Sequence, residues 1–508
     1  MHEYLSKPEL SKEIMLIEKK LQDLSRTPDL EASLVSTTED YKKWRKKCMS
    51  MDYRLEVAKR PKIFLRTLDI ISRVAHLSSF PVKNSAEISA QNSDTFTSRS
   101  VETKLNLTVS ASHSSANLAE GSRISGHGGG ILPSSMTMSC EDGDNLTMLS
   151  DEIISFLVVA LQFVSNAIVQ TSKSQHVVWE HSKNILSTLL RHPEPRLQEV
   201  IGAITFYIYS GSPSCQDEIV KDLALMSAGV DALRMANTEF WHIFFEHLVV
   251  QGTNFNLWFF PLNVEDKLTI IELVENILDG DTLANQQSQN INTVVSVNVI
   301  TSFIQEFNQN SDFILVTTSK GSKDANPIEV INLLRALCKA SVNSMYTQQI
   351  QRSKSFLINC VYLLRAIHSA SCDSTSSFAS VKKIEDAMRE RTKLEASPTY
   401  GFKADLIRIV GNLMYRNKEN QNFVREHKAI EIILESTCYD ARNPFIKEWS
   451  ILAIRNFCEE NEDNQKYIAN LKRMDQLSED FDRGVSHSSD KEVSNLKNAV
   501  DFFSNLKL

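Results

Sequence analysis

The chain has 508 residues, too many for a single ordinary hydrophobic core, so it forms either several domains or a solenoid that grows by adding repeats. Only 15 Gly and 12 Pro are present, which disfavours a β-sandwich or barrel because those folds need many turn residues. The net charge of −8 argues against nucleic acid as a partner. The eight cysteines include no Cys-x-x-Cys pair, so we expect reduced thiols, no metal site and a cytoplasmic protein.

Residues 1–83 are predicted to form an N-terminal helical region. Ile14, Ile17 and Leu21 recur at helical spacing, and Pro61 marks a break or the start of a helix. A basic run from residue 42 to residue 62 is interpreted as a solvated helix face, with an acidic partner or a localisation signal as the alternatives.

Composition changes sharply in residues 84–148, which are rich in Ser, Gly and Asn. We predict a disordered insert, because this stretch cannot bury enough apolar surface to offset the entropy of ordering it. Degenerate helical repeats are predicted over residues 149–399. Within them, Ile153 to Ser172 carries no charge and could span a bilayer, but its polar residues favour a buried helix and no membrane span.

An internal sequence repeat with a period of 44 residues is the main feature of residues 400–474. The run from Asn412 through Asn420-Gln421 returns from Asn456 through Asn464-Gln465, and a period of about 40–47 residues is typical of armadillo and HEAT arrays. A diluted third copy places Gln175 nine residues after Asn166. We therefore predict an all-α fold, an armadillo/HEAT-like α-solenoid with a long disordered Ser-rich insert, ending in a linker and terminal helix over residues 475–508.

Some repeated residues have predicted capping roles. Asn420 and Asn464 lie where the next helix is expected to begin, and a short Asn side chain can accept from its free N–H groups. Asn443-Pro444 is predicted to start the second unit in the same way, with proline at the first helical position.

Two other asparagines are candidates for function. Asn412 and Asn456 lie inside long helices, where Asn has poor propensity, and Trp449 lies two turns before Asn456 on nearly the same face. We hypothesise a partner-binding stripe formed by Asn412, Trp449, Arg455 and Asn456. The alternative is that both asparagines tie neighbouring repeats together and that Trp449 belongs to the core.

The residues around this stripe resemble a known family. The segment Asn443-Pro444-Phe445-Ile446 followed by Ala453-Ile454-Arg455-Asn456 closely resembles the C-terminal signature of the ataxin-10 family, over about residues 400–474. The resemblance implies an armadillo-like, cytoplasmic α-solenoid without catalytic residues or cofactors. It also implies a role in cytokinesis, at the centrosome and cilium base, or in neuronal survival, with perinuclear, centrosomal, basal-body or midbody positions as candidate locations.

These observations favour a non-enzymatic scaffold or adaptor that binds other proteins through its solenoid surface, with self-association left open. One alternative is an importin-like peptide carrier, which needs Trp–Asn pairs on successive repeats. Another is an enzyme or enzyme regulator, but the sequence contains no phosphate loop, dinucleotide fingerprint or metalloprotease motif. His242 and His247 do not share a helical face well, so a packing role is predicted rather than a metal site, and the same holds for the cluster Trp258-Phe259-Phe260.

Overall fold

The computed structural model describes residues 7–27, 33–76, 150–235, 237–280, 294–316 and 327–471. The described residues before residue 75 and after residue 150 belong to one compact unit. Every regular element in the described ranges is a helix, which confirms the all-α prediction. The predicted Ser-rich insert and the predicted linker and terminal helix lie outside these ranges.

Four helices precede the insert: α1 (Lys7–Arg26), α2 (Leu34–Lys47), α3 (Met51–Ala58) and α4 (Pro61–His76). Pro61 is the first residue of α4, as predicted, because proline fixes a helical φ and lacks an N–H that would have no partner there. Cations of the basic run pair with nearby carboxylates, including Lys42 with Glu39 and Lys59 with Glu56, each at 2.7 Å. These pairs are those of a solvated helix face.

The helices described after the insert have between 4 and 19 residues. The first nine are α5 (Asp151–Ile168), α6 (Ser172–Leu190), α7 (Pro195–Gly211), α8 (Pro213–Lys221), α9 (Leu223–Leu233), α10 (Glu239–Gln251), α11 (Phe255–Phe259), α12 (Val264–Leu278) and α13 (Val297–Asn310). The remainder are α14 (Phe313–Val316), α15 (Pro327–Ser341), α16 (Ser344–Arg352), α17 (Lys354–Ser371), α18 (Ile384–Glu395), α19 (Phe402–Met414), α20 (Lys418–Glu426), α21 (Ala429–Glu435), α22 (Ile446–Cys458) and a helix over 462–471, here α23.

The long helices pack in two successions, α2–α5–α7–α10 and α12–α15–α19–α22, in which each helix lies against the next. Inner members such as α5 lie between two neighbours, so their apolar residues extend around most of the helix circumference. Stacking of this kind buries a continuous core by addition, which is the organisation of an α-solenoid.

Helix α5 is long and apolar enough to cross a bilayer by length and composition, and it is the only helix of that kind within the described residues. However, 72% of its apolar window is buried, and it packs against α2 and α7. The helix therefore has the environment predicted for a core helix of the array.

Aromatic side chains fill the middle of the array. Trp258 and Phe259 of α11 are fully buried, and Phe259 stacks on Phe255 with the ring centroids 4.8 Å apart. His242 and His247 are half-buried, and burial lowers the pKa of both imidazoles. The packing roles predicted for these residues are confirmed.

Candidate partner-binding surface

The two clear repeats begin with the same backbone turn. Gly401 precedes α19 with φ 80°, and Phe445, 44 residues later, precedes α22 with φ 59°. This left-handed turn places the helix start at Ile446, so the prediction that Asn443-Pro444 begins the helix was wrong. Asn443 instead accepts a hydrogen bond from the backbone N–H of Lys403 at 3.1 Å, which joins the second repeat to the start of α19.

The predicted N-caps were also wrong, by three residues. Asn417 caps α20 by accepting from the N–H of Asn420 at 3.1 Å, and Asn461 caps α23 by accepting from the N–H of Asn464 at 3.2 Å. The next helix starts early because the preceding helix ends in a single left-handed residue, Arg416 in one repeat and the equivalent glutamate at position 460 in the other.

Asn420 and Asn464 serve the end of the preceding helix instead. Both side chains are fully buried. The Nδ2 of Asn420 donates to the carbonyl of Leu413 at 2.9 Å, and that of Asn464 donates to the carbonyl of Phe457 at 2.8 Å. The last carbonyls of a helix have no partner within it, so these amides satisfy groups that would otherwise be buried without hydrogen bonds.

The glutamines beside these residues make a similar hydrogen bond, in which the side-chain amide donates to a backbone carbonyl seven residues earlier, in the preceding helix. Its four examples are Gln421 to the carbonyl of Met414 (3.2 Å), Gln465 to Cys458 (2.9 Å), Gln175 to Ile168 (3.0 Å) and Gln216 to Tyr209 (2.9 Å). The diluted third copy therefore has the geometry of the clear repeats. The fourth was not predicted, because only its glutamine is retained and Cys215 stands where the others have Asn or Ser.

Asn412 and Asn456 are buried, at 9% and 5% exposure. The Nδ2 of Asn412 donates to the Oγ of Ser341 at 2.8 Å, and the Nδ2 of Asn456 donates to the carbonyl of Gly411 at 3.0 Å. Each acceptor lies on the previous long helix of the succession α15–α19–α22. These are the contacts expected of residues that tie neighbouring repeats together, and direct contact with a partner stays a prediction.

Trp449 lies at the surface and not in the core, since its side chain is only half-buried. The guanidinium carbon of Arg408 lies 4.6 Å from the centroid of its ring, a cation–π contact that holds the indole in place. Arg455 is exposed and forms no ion pair within the described part of the chain. We name Arg408, Trp449 and Arg455 together the Trp449 face.

Arg408 was missed by the sequence reasoning, although its position offered a signal, one turn before Asn412. Cations further up the same succession are neutralised across helices: Lys339 lies 2.9 Å from Glu275, and Arg335 lies 3.8 Å from Asp405. Arg455 therefore differs from them in offering an unpaired guanidinium, six residues after Trp449 on α22.

The described residues contain no cluster of three His, Cys, Asp or Glu side chains able to hold a metal ion. What the Trp449 face offers chemically is an aromatic surface, a guanidinium stacked on it and a second, exposed guanidinium on the same helix. These groups are suited to binding another molecule through non-covalent contacts.

The stacked helices and their repeated Asn and Gln bonds define an all-α helical-repeat protein of the armadillo/HEAT type. Residues 402–490 match the family model described as the spinocerebellar ataxia type 10 protein domain. The chain is 27% identical to Ataxin-10 of Bos taurus over 333 residues, 64% of this chain and 67% of the relative. It is 26% identical to Ataxin-10 of Homo sapiens over the same shares, and 57% identical to the Ataxin-10 homolog of Dictyostelium discoideum over 72 residues, 14% of this chain and 12% of that protein. These matches confirm the resemblance to the ataxin-10 family that the sequence predicts, over residues 402–490 for the family model and over about 64% of the chain for the relatives of Bos taurus and Homo sapiens.

Proposed function

We propose that this protein is a non-enzymatic adaptor that binds partner proteins through the Trp449 face. The observation that carries the proposal is a half-exposed indole in contact with Arg408, on the same helix as the exposed Arg455, within the matched domain. Trp and Arg are the residues that most often dominate binding energy at protein interfaces.

The chemistry of the face fits an acidic segment that also carries an apolar side chain. Carboxylates would pair with the guanidinium of Arg455, and the apolar side chain would cover the indole of Trp449. Asn412 and Asn456 would position the face, because their amide N–H groups already fix α22 on α19 and α19 on α15.

We extend the proposal to the setting that the family resemblance implies. The adaptor would work in the cytoplasm, at the centrosome, cilium base or midbody, in cytokinesis or neuronal survival. An importin-like carrier would need the same Trp on the preceding repeat, and Asp405 occupies that position, 44 residues before Trp449. A single aromatic site fits one partner segment better than a run of regularly spaced side chains.

An affinity pulldown tests the proposal with Trp449→Ala/Arg455→Ala. A matched control is Tyr362→Ala/Arg365→Ala, which removes another exposed aromatic residue and a nearby arginine from α17. We expect the first variant to lose partner affinity by about 30-fold, as hot-spot truncations of about 2 kcal/mol do, with unchanged helicity. Retention of every partner by a folded Trp449 variant would exclude this face, and hydrolase or transferase activity in the pure protein would exclude the adaptor class.

A further inference from the structure

An apolar groove of about 670 Å³ lies between α18 and the turn that leads into α22. Four large apolar side chains that line it are exposed: Ile384, Met388, Tyr439 and Phe445. Met388 and Phe445 are 77% and 71% exposed. Single exposed apolar residues are ordinary, but a cluster of this kind around a groove marks a contact site.

The backbone of Phe445 is also strained. Its φ of 59° lies in the left-handed region, where a residue with a Cβ is strained by about 1–2 kcal/mol. The equivalent residue of the preceding repeat is Gly401, which adopts the same conformation without that strain. The chain thus places an exposed aromatic ring where glycine would avoid the backbone strain. The described residues do not bury this ring in a way that would offset the strain.

Helix α18 packs little against the rest of the described chain. Leu394 is its only buried residue, and a helix of 12 residues is marginal in water without packing. Ile384 and Met388, four residues apart, lie on one face of α18 and line the groove. A second apolar surface over this face would stabilise both α18 and Phe445.

The chain itself supplies a matching surface after the last described residue. Thirty-seven residues follow residue 471, and the last of them carry apolar side chains at positions i, i+3, i+7 and i+10: Val493, Leu496, Val500 and Phe503. This spacing forms one stripe if the segment is helical. Phe502 would lie about 140° from the centre of that stripe, at 100° per residue.

The connection is long enough wherever residue 471 lies. Helix α22, its three-residue link and α23 together span at most about 45 Å, so residue 471 is no further than this from the groove. Residues 472–492 can extend to about 70 Å. A tethered segment of this length has an effective concentration near the millimolar range, which favours it over a free peptide of equal affinity.

We propose that residues 493–508 bind as an amphipathic helix in the α18 groove of their own chain. Val493, Leu496, Val500 and Phe503 lie against Met388 and Phe445 in this arrangement. Any external partner of the groove must then displace the C-terminal segment. The proposal does not depend on the Trp449 face.

Hydrogen–deuterium exchange on the full-length chain tests this directly. Phe503→Asp removes a contact from the stripe, and Phe502→Asp is the matched control on the other face. We expect Phe503→Asp to speed exchange of residues 384–395 by about tenfold and Phe502→Asp to leave it unchanged. A synthetic peptide of residues 489–508, added in excess, should restore the protection.

Phe445→Gly provides the reciprocal test and cannot fail through strain, since glycine suits the turn. It should speed exchange of residues 493–508 by a similar factor. Unchanged exchange of residues 384–395 in the Phe503 variant would overturn the proposal. So would protection that rises with protein concentration, since that result would identify a second copy of the chain as the occupant.

Discussion

Gln421 is the residue on which the joint between the last two repeats depends most. Its Nε2 lies 2.8 Å from the carbonyl of Asn456 and 3.2 Å from those of Glu459 and Met414, and its Oε1 accepts from the Nδ2 of Asn461 at 2.9 Å. An amide has two N–H donors, so these contacts amount to about three hydrogen bonds. At about 1 kcal/mol each, Gln421→Ala should cost about 3 kcal/mol.

Gln465 is the matched control, because it holds the same place in the next repeat. It is exposed and makes one such bond, to the carbonyl of Cys458, so Gln465→Ala should cost about 1 kcal/mol or less. The difference of about 2 kcal/mol corresponds to about 30-fold in the opening equilibrium of this joint.

Amide hydrogen exchange of α22 and α23 measures that equilibrium locally, which suits an array whose repeats need not unfold together. Gln421→Glu should be more damaging still, because a buried carboxylate cannot donate to the three carbonyls. Equal losses of protection in the Gln421→Ala and Gln465→Ala variants would refute the reasoning, since the cross-repeat bonds would then contribute nothing.

Two further predictions concern packing and charge. A Cβ on Gly411 would lie 3.0 Å from the Cβ and 3.1 Å from the Cα of Ala453. Gly411→Ala should therefore lower the free energy of unfolding, measured by urea titration, by about 1–3 kcal/mol despite the better helix propensity of alanine. Burial, with help from the Glu306 carboxylate, raises the pKa of Glu329 from 4.5 to about 7, against the opposing effect of Lys267, whose Nζ lies 3.6 Å away. The folded state therefore binds this proton more tightly than the unfolded state, so the stability that it contributes is present below about pH 4.5 and is lost as the pH rises through 7. Glu329→Gln should remove up to about 3 kcal/mol of this pH dependence from the free energy of unfolding. The same pH dependence of that free energy in both proteins would contradict the prediction.

The repeat period predicted the fold class well, because helical spacing and a 44-residue repeat are local signals. The helix starts were less accurate. The sequence offers no glycine at positions 416 and 460, so nothing announces the left-handed turns that bring Asn417 and Asn461 to the caps. Propensity rules place such turns at glycine, and here packing between repeats overrides them.

The candidate surface was predictable in part for a different reason. The pairing of Trp449 and Asn456 on one helix follows from spacing alone. Contacts between helices do not: Arg408 lies 41 residues before the indole it covers, and Ser341 lies 71 residues before Asn412. Only the packing of α15, α19 and α22 on one another brings these groups together.

The buried asparagines change how partner binding at this surface must be tested. Asn456→Ala removes a bond to Gly411 and so loosens α22 on α19, which carries Arg408 beneath the ring of Trp449. A loss of partners in that variant would therefore be indirect and accompanied by faster exchange of α22, whereas Trp449→Ala should lose partners with exchange unchanged. If Asn456→Ala lost partners with no change in exchange, the Asn456 side chain would contact the partner directly, and the partner-binding stripe hypothesised from the sequence would be supported.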